Sequence, residues 1–328
     1  MTLTVYWPRK ERPDAVELLE NGLDTDVKLI WGPEPPERYD VLIAGRPDRD
    51  QLTGCPDLDA LVIPFAGIPT STRETLNDFP QLRVHNLHHN AEATAEMAIA
   101  LLLAAAKKIV PLDRAFRTHD WRPRYAEFTS SMLLDGKRGL VLGYGGIGQR
   151  IARVLTALGV QVRAVCRRPE RHRSTAKQAG IDVRASSELS SLWPRADMVM
   201  IALPQTPETE GLIGPEEIDQ MPDHAILVNV GRAPIVDPAA LYDALKDGRL
   251  GGAGLDVWYN YPKDEAERAN TPPADYPFHQ LENVVMSPHR AGGGDVIEER
   301  RMAQLAELLN ALARGETDTN RVDLSAGY

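Results

Sequence analysis

The sequence predicts an α/β protein built from two doubly wound parallel sheets. Short apolar segments bounded by Pro, Gly, Asp or Asn alternate with helical patterns along the whole chain. A glycine motif lies between a predicted strand and a predicted helix near the middle, and polar residues follow several later strands. A length of 328 residues is sufficient for two domains with large cores.

Composition narrows the classes of function. A net charge of −10 argues against nucleic acid or an anionic membrane as the main partner. With only Cys55 and Cys166 there is no disulfide framework, and we expect a cytoplasmic protein. Met1–Lys10 has no signal-peptide pattern, and the most apolar stretch, Met97–Ala106, has about half the length that spans a bilayer.

The N-terminal part predicts one α/β unit. The helices expected there are Asp14–Glu20 and the long Ala91–Lys108. Asp113–Tyr125 is polar, aromatic and poor in pattern, and we expect it to wrap between the domains. The predicted strands are Leu3–Trp7, Val27–Trp31, Val41–Ala44, Leu61–Phe65 and Arg83–Asn86.

The mid-chain motif predicts a dinucleotide site. The strand Leu140–Leu142 leads into Gly143, Gly145 and Gly148 in G-x-G-x-x-G spacing, and apolar residues then recur at helical intervals. Gly143 permits the turn, Gly145 lets the backbone approach a pyrophosphate, and Gly148 lets the helix pack on the strand. The helix N-terminus offers free N–H groups to the phosphates.

Polar residues at the ends of later strands predict where a ligand binds. Arg232, Asp256 and His289 each follow or end a strand, and ligands of parallel sheets bind beyond the carboxyl ends of the strands. Helices are expected at Asp237–Leu245 and Asp295–Arg314. The predicted strands are Gln161–Cys166, Met198–Leu203, Ile226–Val230, Gly254–Val257 and Val284–Ser287.

The end of the second strand predicts the type of cofactor. An NAD site usually has an acidic residue about 20 residues past the glycines. Here Cys166 lies 18 residues past Gly148 and is followed by Arg167 and Arg168. Guanidinium groups bind phosphate, so we predict a preference for NADP(H). Alternatively, both arginines are surface charges and NAD binds.

Three histidines precede the long predicted helix. His85, His88 and His89 are spaced as metal ligands can be, but no acidic or thiolate partner accompanies them at this junction of loop and helix. We therefore predict no metal site.

Several ordered motifs resemble the D-isomer-specific 2-hydroxyacid dehydrogenase family. Besides the glycine motif, Leu203–Thr209 resembles the family's LPLTPET segment and Val228–Asp237 resembles VNxxRGxxVD. Gly254–Trp258 resembles GLDVF, and Ser287–His289 resembles TPH. The resemblance covers nearly the whole chain.

The resemblance implies two doubly wound, Rossmann-like domains with the active site in the cleft between them. Residues 1–105 and 293–328 would form the substrate-binding domain, and residues 106–292 the dinucleotide-binding domain. It also implies a homodimer that transfers a hydride between NAD(P)H and a small 2-keto acid, giving a D-2-hydroxy acid, as glyoxylate and hydroxypyruvate reductases do.

The resemblance also assigns roles to individual residues. Arg232 would orient and polarise the substrate, and His289 would be the acid and base. Asp256 would bind the carboxamide of the nicotinamide, and the backbone of Ala66 and Gly67 would bind the substrate carboxylate. The expected cofactor contacts are Gly143, Gly145, Gly146, Ile147, Gly148, Cys166, Arg167, Arg168, Pro204, Val230, Gly231, Asp256 and His289.

One position departs from the family pattern. Tyr261 stands where the family has a Glu paired with the catalytic His, and we count it among the catalytic residues. A carboxylate would raise the pKa of the imidazole, whereas a neutral Tyr supplies no charge, so the pKa of His289 should be lower than in ordinary members. Asp264, Glu265 or Glu267 could supply the charge instead.

Two other functions remain open at the level of sequence. A formate- or phosphite-type dehydrogenase needs no proton from a hydroxyl, and formate dehydrogenases of the superfamily also lack the Glu. An NAD(P)-sensing binding protein of the corepressor type would keep Arg232 and His289 with weak catalysis. Arg290, next to His289, could favour a dianionic substrate or form a salt bridge at the rim.

Overall fold

The chain forms two compact α/β units in a computed structural model that describes residues 2–8, 13–126 and 131–324. The first unit comprises Met1–Asn90 and Gly293–Tyr328, and the second comprises Ala91–Gly292. The strands are β1 (Leu3–Trp7), β2 (Val27–Trp31), β3 (Val41–Ile43), β4 (Ala60–Ile63), β5 (Arg83–Asn86), β6 (Arg138–Leu142), β7 (Gln161–Cys166), β8 (Asp182–Ala185), β9 (Met198–Ile201), β10 (Ile226–Asn229), β11 (Gly252–Leu255) and β12 (Val284–Met286).

Helices cover both faces of each sheet. They are α1 (Pro13–Asn21), α2 (Arg49–Thr53), α3 (Thr70–Leu76), α4 (Ala91–Ala106), α5 (Ile109–Arg117), α6 (Arg122–Tyr125), α7 (Gly146–Ala157), α8 (Arg173–Gln178), α9 (Pro215–Gln220), α10 (Pro238–Lys246) and α11 (Ile297–Ala313). None of the helices in the described ranges is long and apolar enough to cross a membrane.

The first unit contains a five-stranded parallel sheet in the order β2-β1-β3-β4-β5. Successive residues of β1 point to opposite faces, so Val5 packs with α1 and α11 while Tyr6 packs with the residues of α2 and α3. All five strands predicted for this part are confirmed, and three of them have the predicted bounds.

The second unit contains a seven-stranded parallel sheet in the order β12-β11-β10-β9-β6-β7-β8. Strand β6 pairs with β7 on one side and with β9 on the other, so the chain changes direction across the sheet at this point. Such a switch point opens a crevice at the carboxyl ends of the strands. Strand β8 was not predicted, because its four residues include Asp182 and Arg184 and give little apolar signal. The predicted fold class is confirmed.

Helix α4 belongs to the second unit by its packing. It lies against α7, β10 and β11, and a side chain at Gly254 would meet Leu101 at 2.8 Å. The small residue lets the helix backbone approach the sheet. Residues 91–105 are therefore grouped with the dinucleotide unit, whereas the sequence analysis placed them with the first domain.

The prediction that Asp113–Tyr125 lacks a regular pattern is wrong. Helix α5 ends at Arg117, and α6 follows it at Arg122. Ile109, Leu112 and Phe116 have helical spacing, but the first two precede the segment that was considered. None of the residues of α5 is buried.

Candidate active site

The glycine turn joins β6 to α7 in the geometry that the motif predicts. Gly143 has φ +93°, and a Cβ there would lie 2.6 Å from the carbonyl oxygen of Ala202. A Cβ on Gly148 would lie 1.8 Å from the carbonyl oxygen of Gly143, so the helix packs directly on the turn. Gly145 precedes the first helical residue, and among the described residues no atom beyond its own stretch of chain lies within 4 Å of the position that a Cβ would take. The turn thus offers a helix N-terminus and open space to a phosphate group.

The carboxyl end of β7 carries no acidic residue. Cys166 is its last residue, and the exposed Arg167 and Arg168 follow. Burial raises the pKa of the Cys166 thiol, so this position is uncharged at neutral pH. Beside it the Tyr144 ring, which belongs to the glycine turn, contacts the ring of His172 edge to face.

Arg232 is held by a turn after β10. The buried Asn229 side chain accepts a hydrogen bond from the Gly231 N–H at 3.0 Å and donates one to the Arg232 carbonyl at 3.0 Å. The guanidinium donates to the Gly231 carbonyl at 2.7 Å, and no carboxylate in the described ranges pairs with it. Its charge therefore remains available for an anionic ligand.

Asp256 organises the loop that carries His289. Its carboxylate is fully buried and accepts hydrogen bonds from the Ser287 hydroxyl at 2.6 Å, the Arg290 N–H at 2.8 Å and the Ala291 N–H at 3.0 Å. His289 has φ +55°, a left-handed conformation that is unfavourable for a side chain of this kind. The predicted contact of Asp256 with a carboxamide stays a prediction.

His289 is paired with Tyr261. The Tyr261 hydroxyl lies 2.8 Å from Nδ1 of His289, and the same oxygen accepts the Trp258 backbone N–H at 3.2 Å. The Trp258 indole N–H donates to the Ser287 carbonyl at 2.8 Å, two residues before His289. Trp258 and Tyr261 together therefore fix both the loop and the ring.

The pKa values of His289 and Tyr261 follow from their burial and from the charges of Arg232 and Asp256. Loss of hydration, together with the charge of Arg232, lowers the pKa of His289, although the Asp256 carboxylate acts in the opposite direction. Burial raises the pKa of Tyr261, so its hydroxyl keeps its proton at neutral pH. That the pKa of His289 is lower than in family members with a Glu at position 261 stays a prediction.

The three acidic residues considered as substitutes for the family Glu have other partners. Asp264 accepts from the Glu267 N–H, Glu267 accepts from the Lys263 N–H, and Glu265 pairs with Arg268. The acid whose charge acts on His289 is Asp256, which reaches it through the loop.

The remaining predicted residues lie as follows. Gly146 and Ile147 form the first turn of α7, Pro204 follows β9, and the buried Val230 follows β10. In the first unit, Ala66 and Gly67 follow β4, and the Ala66 carbonyl accepts a bond from Asn86 at 2.7 Å. Their predicted contact with a substrate carboxylate stays a prediction.

Sequence reasoning did not assign Asn229, Ser287 and Trp258 a role. All three lie inside quoted motifs. Asn229 and Trp258 bond the backbone of a neighbouring turn and Ser287 bonds the Asp256 carboxylate, contacts that no spacing reveals. In the ranges that the structure describes, no group of three or more His, Cys, Asp and Glu side chains is arranged to hold a metal ion.

Residues 99–291 match the family model described as "D-isomer specific 2-hydroxyacid dehydrogenase, NAD binding domain". The chain is 32% identical over 336 residues to the glyoxylate reductase of Aeropyrum pernix, covering 97% of this chain and 95% of that protein. It is 36% identical over 324 residues to the glyoxylate reductase of Korarchaeum cryptofilum, covering 97% and 88%. It spans only 56% of the D-3-phosphoglycerate dehydrogenases of Mycobacterium that it also matches.

A solved structure supports the same relationship. The D-isomer specific 2-hydroxyacid dehydrogenase of Xanthobacter autotrophicus Py2, solved with NADPH and MES, superposes with a TM-score of 0.80 at 25% identity. The comparison covers 100% of this chain and 99% of that one.

Gly145 and Gly148, the last two glycines of the motif, allow a test that separates packing from ligand binding. Gly148→Ala should lower the free energy of unfolding by about 3 kcal/mol, because a backbone atom occupies the position of the new methyl group. Gly145→Ala should fold with wild-type stability but bind NADPH about tenfold more weakly, since the methyl group enters the space left for phosphate. Thermal unfolding and fluorescence titration measure the two effects. Equal stability of both variants would contradict the assignment of Gly148.

Proposed function

Since the chain belongs to the family of D-isomer specific 2-hydroxyacid dehydrogenases, we propose that Arg232 and His289 are the substrate-binding and acid/base residues of a 2-keto acid reductase. The observation that carries this proposal is the pairing around Tyr261. Its hydroxyl bonds His289, and the charge of Arg232 acts on both rings. An anion-binding group and a proton donor therefore belong to one site.

Each residue has a distinct task in the proposed reaction. The Arg232 guanidinium binds the carboxylate and keto oxygen of the substrate, for which its forked donors are suited. The glycine turn would hold the pyrophosphate of NADPH, since the space beside Gly145 is open, and the cofactor would supply the hydride that the keto carbon receives. His289 donates a proton to the oxygen as negative charge develops there. Asp256, Ser287 and Trp258 keep the His289 loop in place.

The relatives narrow the substrate class. Two of them are named glyoxylate reductases, so we propose glyoxylate and hydroxypyruvate as the first substrates to test. These two relatives do not favour formate or phosphite oxidation as the function, nor a corepressor-type binding protein.

The direct test is NADPH oxidation against a panel of 2-keto acids. We expect turnover of glyoxylate or hydroxypyruvate, and we expect His289→Ala to lower kcat by about a thousandfold because the proton donor is lost. Formate with NADP+ serves as the parallel reaction. Turnover of formate in the absence of keto acid reduction would overturn the proposal.

We also propose that NADP(H) is preferred over NAD(H). Arg167 and Arg168 follow β7 where an acidic residue would repel a 2′-phosphate, and the related Xanthobacter enzyme was solved with NADPH. Burial raises the pKa of the Cys166 thiol, so this residue adds no negative charge beside such a phosphate.

Replacing both arginines should reverse the cofactor preference. In Arg167→Ser/Arg168→Ser, the KM for NADPH should rise about thirtyfold, because two charged hydrogen bonds to phosphate are lost, while the KM for NADH changes little. Arg195→Ser is a matched control, since this exposed arginine precedes β9 at the other end of the strands. An equal rise in KM for both cofactors would contradict the assignment.

A homodimer is proposed from the apolar surface of α5 and α6. Phe116 is 55% exposed and Trp121 is 56% exposed, and their rings pack edge to face 4.8 Å apart. Ile109, Leu112 and Tyr125 extend the same exposed apolar set. A surface of this kind usually marks an interface with another protein, and a second copy agrees with the homodimers of the family.

Charge on this surface should dissociate the dimer. Phe116→Asp should halve the mass measured by light scattering, because an unpaired carboxylate would have to be buried. Leu18→Asp places the same change on an exposed residue of α1 and should leave the mass unchanged. A wild-type monomer, or a Phe116→Asp dimer, would contradict the proposal.

A cytoplasmic location is proposed as well. Cys55 and Cys166 are both free thiols, and Cys55 is buried with its sulfur bonded to the backbone of Tyr39. Unpaired cysteines of this kind are typical of a reducing compartment.

A further inference from the structure

We propose that Tyr261 relays a proton from solvent to His289 during each reduction. The inference rests on the proposed function, because it concerns the proton that the keto oxygen receives. In the family pattern a carboxylate at this position keeps the imidazole protonated, and a phenol cannot do this. The relay offers another route by which a neutral imidazole can act as the acid.

The relay requires one particular tautomer of His289. The Trp258 N–H donates to the Tyr261 oxygen at 3.2 Å, and the relay places the phenolic hydrogen between that oxygen and Nδ1 of His289, which lie 2.8 Å apart. A neutral imidazole that accepts at Nδ1 carries its hydrogen on Nε2. The resting ring therefore presents an Nε2–H donor on the side opposite Tyr261.

The charges around the ring favour this neutral state. The charges of Arg232 after β10 and Asp256 after β11 act on His289, Tyr261 bonds its ring, and Arg290 is the next residue in the chain. Arg232 disfavours a second positive charge, and the Asp256 carboxylate is engaged by three donors of the loop. Lowering of the His289 pKa leaves little imidazolium at neutral pH.

The proton balance of the step is complete. As the hydride adds to the keto carbon, the Nε2–H bond breaks and an O–H bond forms on the former carbonyl oxygen. Nδ1 takes the phenolic hydrogen of Tyr261, and the phenolate oxygen takes a proton from solvent. After the product leaves, Nε2 gains a solvent proton and Nδ1 passes its own to the Tyr261 oxygen, which releases its former hydrogen to solvent; this restores the first tautomer with a net uptake of one proton per turnover.

The surroundings of Tyr261 suit a transient phenolate. The Trp258 N–H remains bonded to the oxygen, and the Arg232 charge acts on it favourably. Tyr261 is 47% exposed, so water can reach the residue and restore its proton. Burial opposes the phenolate, which is why the oxygen must be reprotonated in the same step and not held as an anion.

The kinetic test compares Tyr261→Gln, Tyr261→Phe and Tyr261→Glu with the wild type at two pH values. The Gln amide can donate to Nδ1 and fix the tautomer, but it cannot pass a proton on. At about pH 8 we expect kcat for glyoxylate to fall about a hundredfold in the Gln and Phe variants. At about pH 5.5 the gap should close to about threefold, because imidazolium then carries its own proton. Tyr261→Glu should retain activity to higher pH than Tyr261→Phe, because its carboxylate raises the pKa of His289.

Tyr259→Phe is the matched control. Its hydroxyl donates to the Val236 carbonyl at 2.8 Å and makes no contact with His289, so its removal should leave the pH profile unchanged. A loss in Tyr261→Gln below about threefold at about pH 8, or an equal loss at both pH values, would overturn the relay.

A second measurement is independent of turnover. The ¹⁵N chemical shifts of the His289 ring in the free enzyme should report a hydrogen on Nε2 in both the wild type and Tyr261→Gln. A hydrogen on Nδ1 would overturn the relay whatever the activity. If the wild type carries a hydrogen on Nε2 but reduces no keto acid, the proposed function is refuted. The tautomer assignment is then still confirmed, so the two failures can be told apart.

Discussion

Parallel pairing of β10, β11 and β12 is the constraint on which the site depends. The register pairs Val228 with Gly254 and Gly254 with Val285, so the three strands end together at one edge of the sheet. Neighbouring strands lie about 4.8 Å apart, and three of them therefore span about 10 Å. Arg232, Asp256 and His289 reach this edge from short turns after the three strands.

The turn that carries His289 is held against its own conformational preference. A left-handed residue other than glycine costs about 1–2 kcal/mol, whereas each hydrogen bond to a charged group contributes about 1.5–3 kcal/mol. Three such bonds to the Asp256 carboxylate, with a fourth bond from the Trp258 indole, outweigh that cost. The imidazole is therefore preorganised before a substrate binds.

Replacement of a carboxylate by Tyr261 changes the electrostatics more than the geometry. The ring of His289 is still held at Nδ1, but the partner is neutral and the charges that act on the ring are those of Arg232 and Asp256. A site of this kind keeps the orientation of an acid/base residue without stabilising its protonated form. The source of the proton that His289 donates then depends on whether Tyr261 can transfer one to the imidazole.

The sequence by itself determined the two α/β units, the glycine turn, and the positions of Arg232 and His289 at strand ends. These features follow from local periodicity and from the steric demands of Gly143 and Gly148, which are properties of neighbouring residues. It did not determine the short strand β8 and the four-residue α6, whose signals are weak, or α5, whose apolar spacing begins before the segment that was considered.

Only the tertiary structure decided how the site is assembled. That Asp256 holds the His289 loop, that Tyr261 bonds Nδ1, and that Asp264, Glu265 and Glu267 are engaged elsewhere all depend on contacts between separate segments. Helix α4 joined the second unit for the same reason, because Gly254 leaves room for Leu101. Hydrogen-bond direction and close packing are set by three-dimensional placement, which residue spacing along the chain does not encode.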